Sequence, residues 1–249
     1  MTNRDPVDRG VCVITGGSRG IGAATVRRAV AEGWTVCFSW VNDRDAAASL
    51  ASELGARAVR ADVSSASAVG SLFEAARELG PITAAVANAG IVGEKSRVDE
   101  MSPERLRRML EVNALGVMLT GREAVRSMSR RHGGAGGSIV AVSSIASRLG
   151  SPGEYVDYAA SKAAVDTFVL GLAKEVAAEG LRVNAVRPGI IDTEIHASGG
   201  QPDRATRLAP QIPMGRAGRA DEVAAAIVWL LGPESSYTTG TTIDVGGGR

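Results

Sequence analysis

Short runs of apolar and β-branched residues alternate along the chain with longer, alanine-rich amphipathic stretches. The runs predict strands at 11–15, 35–39, 57–61, 82–87, 138–143, 182–187 and 241–245. The stretches predict helices at 21–32, 44–54, 66–79, 104–131, 158–179 and 220–231. Most of the strands lack polar alternation, which is typical of strands buried on both faces of a parallel sheet. The pattern therefore predicts an α/β fold: a doubly wound parallel sheet of about seven strands with helices on both faces.

Nothing in the sequence divides this alternation into separate units. We find no linker, low-complexity tract or repeat of solenoid period. The glycines at 133–137 and 199–200 indicate loops, so we expect one domain over residues 1–249. The stretch at about 194–215 is rich in Gly, Pro and small polar residues, which indicates a mobile lid over a substrate.

The overall composition argues against several classes of partner. Hydrophobic residues make up 45% of the chain, charged residues 22%, and the formal net charge is +1, so no basic footprint suggests nucleic acid or an anionic membrane. No apolar run approaches the roughly 20 residues of a membrane span. Residues 1–10 are polar and lack the apolar stretch of a secretory signal. We therefore expect a cytoplasmic protein with neither nucleic-acid nor membrane partners.

The cysteines and histidines do not suggest a metal centre. Cys12 and Cys37 fall inside predicted strands, where free cysteine behaves as a small buried hydrophobe, and we expect no disulfide. His132 and His196 lie far apart, with no ligand-like spacing to cysteine or acidic residues. We expect no metal site and interpret both histidines as solvated surface residues.

A glycine-rich turn, Thr15–Gly22, connects the first predicted strand to the first helix. Glycine permits a positive φ, lets the backbone approach a pyrophosphate and allows close packing of helix on strand. The start of the helix offers free N–H groups and the positive end of its dipole to phosphates. The spacing Gly-xxx-Gly-x-Gly differs from GxGxxG and lacks the Gly-Lys-Ser/Thr ending of an NTPase P-loop. Its position between strand and helix predicts a nucleotide site.

The turn resembles the cofactor turn of the short-chain dehydrogenase/reductase family, and the resemblance extends over essentially the whole chain. It continues in order through Asn88-Ala89-Gly90, Asn113, Ser144, Tyr158-xxx-Lys162, Pro188-Gly189, Gly240-Thr241 and Asp244-Val245-Gly246-Gly247. This resemblance implies a Rossmann fold and an oxidoreductase that transfers a hydride between a nicotinamide cofactor and a carbonyl or alcohol. Within the family, a 3-oxoacyl carrier-protein reductase and an enzyme resembling glucose 1-dehydrogenase are both consistent with it.

The resemblance also implies which residues bind the cofactor. They are Gly16, Ser18, Arg19, Gly20, Ile21, Gly22, Ser39, Asp62, Val63, Asn88, Ala89, Gly90, Tyr158, Lys162, Pro188, Gly189, Ile191 and Thr193. In the family, residues matching Asp62 and Val63 contact the adenine. The residue matching Asn88 braces the sheet, and the turn matching 188–193 wraps the nicotinamide amide.

The end of the second predicted strand favours NADP over NAD. It reads Phe38-Ser39-Trp40-Val41-Asn42, without the carboxylate that binds the ribose 2′-hydroxyl of NAD. Arg19 can meet a 2′-phosphate as a planar donor, Ser39 can hydrogen-bond it, and Arg44 is a further candidate. The alternative interpretation is that Arg19 and Arg44 are solvated surface residues.

Tyr158 and Lys162 are the leading catalytic candidates. They lie four residues apart, hence on one face of a helix. Carbonyl reduction needs a proton donor and alcohol oxidation needs a base, and a free tyrosine with a pKa of about 10 is a poor base. An adjacent ammonium and the oxidised nicotinamide ring both favour phenolate, so we expect the two together to lower the pKa of Tyr158, and Lys162 to hold the nicotinamide ribose. Tyr155 lies two helical turns from Lys162 and is interpreted as a pocket wall or as packing.

Two further side chains complete the candidate catalytic set. Ser144 is expected to hydrogen-bond the substrate oxygen; its neighbour Ser143 is the rival, and the family pattern favours the second serine. The spacing from Ser144 to Tyr158 is one residue longer than in many relatives, which indicates a small insertion near 154–156. Asn113 resembles the helix asparagine that positions a water in a proton relay with the lysine. A simple polar kink is the alternative for Asn113.

The substrate and the assembly are less closely defined by the sequence. We expect a small carbonyl, alcohol or sugar. Arg204 or Arg207 in the lid could meet an acidic substrate, although the sequence favours solvation of both. Relatives pair helices such as 104–131 and 158–179 across subunits, so the resemblance implies a homotetramer. A non-catalytic NADP-binding sensor or scaffold is the alternative, and retention of all four catalytic candidates argues against it.

Overall fold

Within residues 9–249, which the computed structural model describes, seven strands form a parallel sheet in the order β3-β2-β1-β4-β5-β6-β7. The strands are β1 (Val11–Ile14), β2 (Thr35–Trp40), β3 (Arg57–Arg60), β4 (Ile82–Ala87), β5 (Gly137–Val142), β6 (Leu181–Pro188) and β7 (Thr242–Val245). Each predicted strand is present, and the doubly wound Rossmann arrangement is confirmed. Residues 1–8 lie outside the described residues. They include most of residues 1–10, in which the sequence shows no secretory signal.

Ten α-helices lie in the same part of the chain. They are α1 (Gly20–Ala31), α2 (Arg44–Leu54), α3 (Ala66–Arg77), α4 (Pro103–Leu110), α5 (Gly116–Met128), α6 (Ala146–Leu149), α7 (Val156–Val176), α8 (Ile195–Ser198), α9 (Arg204–Leu208) and α10 (Ala220–Leu231). The helix predicted at 104–131 is interrupted by a π-helical turn, Glu111–Leu115. The hydrophobic pattern did not predict α6, α8 and α9, because four or five residues are too few to show helical periodicity.

The hydrophobic core consists of two layers, one on each face of the sheet. Along β1, Val11 and Val13 pack into the layer beneath α3, α5 and α7, while Cys12 and Ile14 pack into the opposite layer beneath α1, α2 and α10. This alternation explains why the strand is apolar throughout. Cys12 and Cys37 are free and buried, as predicted, and burial raises the pKa of both thiols, that of Cys37 to about 11.

The strand order reverses between β1 and β4. The chain leaves β1 toward β2 on one side of the sheet, whereas β4 and all later strands are added on the other side. Ligands of open α/β sheets bind outside the carboxyl ends of the strands at such a switch point. Residues that follow β1 and β4 therefore lie where a ligand is expected.

The carboxyl end of α10 is held by one arginine from β6. The half-buried Arg182 donates to the carbonyl oxygens of Leu230, Leu231 and Gly232 at 2.9, 3.2 and 3.1 Å, and to Ser235 Oγ at 2.8 Å. The last carbonyls of a helix have no partner within the helix and carry partial negative charge. A cation here stabilises the end of the helix and joins it to the sheet.

Among the helices of the described residues, none combines the length and the hydrophobicity that crossing a membrane requires.

We expect Arg182→Met to lower the free energy of unfolding by about 2–4 kcal/mol, because several buried carbonyl groups lose a charged donor. Urea unfolding at pH 7 measures the change. Arg27→Met is the matched control, since the ion pair of Arg27 with Glu53 is exposed at 51% and 50% and should contribute less than about 1 kcal/mol. Equal losses in the two variants would contradict the role given to Arg182.

Candidate active site

A cavity of about 490 Å³ lies along the carboxyl ends of β1 to β6. It extends from Ser39 and its successors, at the end of β2, to Tyr158, Lys162 and the segment that follows β6. Every residue that the sequence implied for cofactor binding lines it, and so does Ser144. Its size is ordinary for a site that encloses a small-molecule ligand.

The floor of the cavity is a hydrogen-bonded junction between the ends of β1 and β4. The buried Thr15 hydroxyl accepts from the backbone N–H groups of Asn88 and Ala89 at 3.0 and 3.1 Å. In return, the Asn88 side-chain amide donates to the carbonyl oxygens of Thr15 and Gly16 at 2.9 and 3.0 Å. These bonds hold the glycine turn against the neighbouring strand.

The glycine turn has no room for side chains at its critical positions. Gly16 and Gly20 have φ values of +65° and +53°, in the left-handed region. A Cβ at Gly22 would lie 2.1 Å from the carbonyl oxygen of Gly16. The bare backbone and the start of α1, which carries no acidic residue in its first turn, fit a pyrophosphate group.

The glycine turn presents a cation to the cavity near the end of β2. Arg19 is exposed and lines the cavity, whereas Arg44 begins α2 and does not line it. Asp43 caps α2 by accepting from the Ala46 N–H at 2.9 Å. Ser39 Oγ accepts from the Gly16 N–H at 3.0 Å, so only its hydroxyl hydrogen can serve a ligand.

Asp62 is held by residues that the sequence did not single out. Its carboxylate accepts from Ser64 N–H and Oγ at 3.0 and 2.8 Å, and from Arg108 Nη2 at 2.7 Å. Partial burial raises the pKa of Asp62, but these hydrogen bonds outweigh it and lower the pKa overall. Arg108 comes from α4 and also lines the cavity. No local pattern signals a partner this distant in the sequence.

Tyr158 and Lys162 lie together on the cavity side of α7. Lys162 is only 3% exposed; its Nζ lies 5.7 Å from the centroid of the Tyr158 ring and donates to the Val142 carbonyl oxygen at 2.7 Å. Burial lowers the pKa of Lys162 to about 8, although Asp166 raises it.

Lys162 by itself does not lower the pKa of Tyr158. Burial raises the pKa of Tyr158, and a hydrogen bond with Ser144 offsets this only in part. The Lys162 ammonium donates to the Val142 carbonyl, so burial determines the direction of the shift. In this structure Tyr158 is therefore a protonated phenol at neutral pH.

The two serines after β5 have different partners. Ser143 Oγ donates to the Lys162 carbonyl oxygen at 3.1 Å and thereby joins β5 to α7. Both serines line the cavity, but Ser144 is the one that hydrogen-bonds Tyr158, and its Oγ accepts from the Ala146 N–H at 3.2 Å. The geometry therefore favours Ser144 over Ser143 as the hydroxyl that faces a ligand.

Asn113 is fully buried at the centre of the π-helical turn and does not line the cavity. Its Oδ1 accepts from the Ile91 N–H at 2.8 Å, and its Nδ2 donates to the Ile91 carbonyl oxygen at 2.9 Å. A Cβ at Gly90 would lie 3.3 Å from Asn113 Oδ1 and 3.4 Å from Lys162 Nζ, so the asparagine lies close behind the lysine. The helix is irregular here, as the polar-kink alternative implies, and π-helical turns are frequent at functional sites.

His196 and Arg204, in the far wall of the cavity, are not the solvated surface residues that the sequence predicted. His196 is half-buried, lines the cavity and shares a hydrogen bond of 2.9 Å with the Ile191 carbonyl oxygen; burial lowers its pKa. The Arg204 side chain is only 12% exposed and forms an ion pair with Glu154 at 2.7 Å. Tyr155, 5% exposed, forms a wall of the cavity, as predicted.

The remaining predictions concern two exposed side chains and a metal site. His132 and Arg207 are exposed, as predicted. Across residues 9–249 no three His, Cys, Asp or Glu side chains are grouped in a way that could hold a metal ion.

Comparison with known proteins agrees with this geometry. A family model described as enoyl-(acyl carrier protein) reductase matches residues 16–249. The chain is 50% identical over 245 residues to the uncharacterized oxidoreductase YgfF of Escherichia coli K12, covering 96% of this chain and 99% of the relative.

Solved structures agree in the same way. A short-chain dehydrogenase/reductase from Serratia marcescens superposes with a TM-score of 0.89 at 32% identity, covering 98% of this chain and 99% of that one. A blue fluorescent protein from a metagenomic library, solved in complex with NADPH, also has a TM-score of 0.89, at 31% identity and with the same coverage.

The buried ammonium of Lys162 should leave a signature in the pH dependence of stability. Its pKa is about 8 in the folded protein and 10.5 when unperturbed, so the folded state binds fewer protons than the unfolded state between these values. The contribution of Lys162 to the free energy of unfolding therefore rises with pH. We expect the stability advantage of Lys162→Met over the parent protein to shrink by about 2 kcal/mol from pH 7 to pH 9.5.

Urea unfolding of both proteins across this range measures the difference, and titration of the two cysteines cancels because it is common to both. Lys174→Met is the control: Lys174 is exposed on the same helix, so its difference from the parent should be independent of pH. A pH-independent difference for Lys162→Met would contradict the buried-ammonium interpretation.

Proposed function

The chain belongs to the short-chain dehydrogenase/reductase family of oxidoreductases that act on CH–OH groups, and we propose that it reduces a small carbonyl compound with NADPH. The observation that carries this proposal is the arrangement of the cavity. A phosphate-binding turn and Arg19 lie toward one end, and Tyr158 with Ser144 and Lys162 lies toward the other.

The cavity walls suit each part of NADP. The turn at residues 16–22 and the start of α1 would bind the pyrophosphate, and Arg19 the 2′-phosphate. Asp62 and Val63 would face the adenine, Lys162 the nicotinamide ribose, and residues 188–193 the carboxamide. When bound, the reduced cofactor supplies the hydride.

The protein's own contribution to the reaction is the proton and the stabilisation of charge. Tyr158, which burial keeps protonated at neutral pH, would donate its phenolic proton to the carbonyl oxygen as the carbonyl carbon receives the hydride. The Ser144 hydroxyl would donate a hydrogen bond to the same oxygen. The Lys162 ammonium would stabilise the phenolate left behind until solvent returns a proton. The product is the alcohol.

We also propose a cytoplasmic homotetramer. Large apolar side chains remain exposed on the helices expected to pair across subunits: Leu110, Leu115, Met118 and Leu170 are 37–49% exposed. These residues lie on α4, the π-helical turn, α5 and α7. Exposed apolar patches of this kind are typical of surfaces that a second subunit covers.

Replacing Tyr158 by Phe removes the proton donor and keeps the aromatic ring. We expect NADPH-dependent turnover of carbonyl compounds to fall by about 10²–10⁴-fold, while the dissociation constant of NADPH stays unchanged. The decrease in NADPH absorbance across a panel of ketones, aldehydes and keto sugars measures turnover. Tyr237→Phe, at a fully exposed tyrosine, is the control. Undiminished turnover by Tyr158→Phe would contradict the mechanism, and binding without turnover by the parent protein would favour the sensor or scaffold alternative.

Replacing Arg19 by Gln tests the choice of cofactor. We expect KM for NADPH to rise by about 10- to 100-fold, because a charge-assisted contact to the 2′-phosphate is lost, and KM for NADH to change little. Steady-state kinetics with both cofactors measure the effect. Arg44→Gln provides the comparison, since Arg44 does not line the cavity. Equal KM values for NADPH and NADH in the parent protein would contradict a 2′-phosphate site.

A further inference from the structure

The wall of the cavity opposite the phosphate-binding turn contains a charged cluster that the reaction described above does not use. Its centre is Arg204, at the start of α9, whose Nη2 lies 2.7 Å from Glu154 Oε2. The guanidinium carbon lies 5.1 Å from the centroid of the Tyr155 ring, and Gln201 hydrogen-bonds the Tyr155 hydroxyl. Arg204, Glu154 and Tyr155 line the same cavity as Tyr158.

The positive charges of this cluster are not balanced by its single carboxylate. Glu154 serves two cations, since Lys95 Nζ lies 3.4 Å from Oε1 while Arg204 takes Oε2. Glu194 also lines the cavity, but toward the glycine turn, and both Glu194 and Asp192 are exposed to solvent. The sum over Lys95, Arg204 and Glu154 is therefore one positive charge, and Arg204 is its most desolvated member, with a side chain 12% exposed against 57% for Lys95.

The guanidinium retains donors for a second acceptor. Arginine carries five N–H groups in a planar fork that suits carboxylates. Within the described residues Glu154 accepts from Nη2, and Gln201 Oε1 lies 3.4 Å from Nη1, a long contact. The other N–H groups of Arg204 are therefore free, among the described residues, to bind an anion that enters the cavity.

We propose that Arg204 determines specificity by binding a carboxylate of the substrate, so that the substrate class is a short oxo acid and its hydroxy-acid product. This inference rests on the proposed carbonyl reduction. The oxo group lies at Tyr158, and the carboxylate pairs with Arg204 in the same cavity.

Matched acid and ester pairs test the proposal. The pairs are 2-oxopentanoate, 4-oxopentanoate and 5-oxohexanoate, each beside its methyl ester, with NADPH oxidation as the readout. We expect at least one acid to exceed its ester in kcat/KM by about tenfold or more, mainly through KM. Arg204→Gln should reduce that acid-to-ester ratio by about 10- to 100-fold and leave the dissociation constant of NADPH unchanged. Arg27→Gln, at an exposed arginine that pairs with Glu53 and does not line the cavity, should leave the ratio as it is.

Glu154→Gln separates recognition from a structural role of the ion pair. If Arg204 binds the substrate, removing its counter-ion frees the guanidinium, so KM for the acid should fall or stay constant. If the ion pair only holds α9 in place, Glu154→Gln and Arg204→Gln should impair acids and esters alike, and the proposal is overturned.

The absence of any preference for acid over ester in the parent protein also overturns it. Failure of the proposed function gives a different result, namely no NADPH oxidation with either member of any pair. In that case calorimetric titration of 4-oxopentanoate and its methyl ester into the NADPH complex decides the point. Tighter binding of the acid, lost in Arg204→Gln, supports the anion site, and equal binding rejects it.

Discussion

The hydrogen-bonded junction between Thr15 and Asn88 is the constraint on which the rest of the site depends. The strand order reverses between β1 and β4, so the segments that follow these paired strands run in opposite directions and leave backbone groups without strand partners. The Thr15 hydroxyl satisfies two of those amides, and the Asn88 side chain reaches the carbonyl of Gly16. Because leaving such groups unpaired costs about 1–3 kcal/mol each, one small polar pair both closes the floor of the crevice and fixes the glycine turn above it.

Burial favours the neutral forms of both Tyr158 and Lys162. It raises the pKa of the phenol and lowers that of the ammonium to about 8, and both shifts come from desolvation. A protonated phenol is the form needed to donate a proton to a carbonyl. The Val142 carbonyl and Asp166 keep the ammonium charged enough to stabilise the phenolate formed afterwards. Asp166 is itself held by Arg187 at 3.0 Å, so the charge of Lys162 is tied to the end of β6.

The order of the elements and the residues along the strand ends could be predicted from the sequence, because both depend on local patterns. Apolar runs indicate strands, and the glycines of Thr15–Gly22, placed between a strand and a helix, indicate a phosphate-binding turn. What could not be predicted depends on tertiary contacts. Arg108 pairs with Asp62 from another element, and Arg204 is buried by Tyr155 and Glu154, although a lone arginine in a polar segment suggests solvation. That burial raises the pKa of Tyr158 could not be predicted either, because neither burial nor the Val142 carbonyl that accepts from Lys162 is visible in a YxxxK spacing.

In the segment after β6, the composition indicates a loop, whereas specific contacts determine how the loop is held. Its glycines, prolines and small polar residues indicate a loop over the cavity, but its anchors are specific: an apolar cluster of Ile190, Ala205, Leu208 and Ile212 beneath it, and Arg204 at its edge. Arg204 both joins α9 to the loop before α7 and lines the cavity. An anion that pairs with this guanidinium, as proposed for the substrate carboxylate, would compete with Glu154 for the group that joins α9 to the loop before α7.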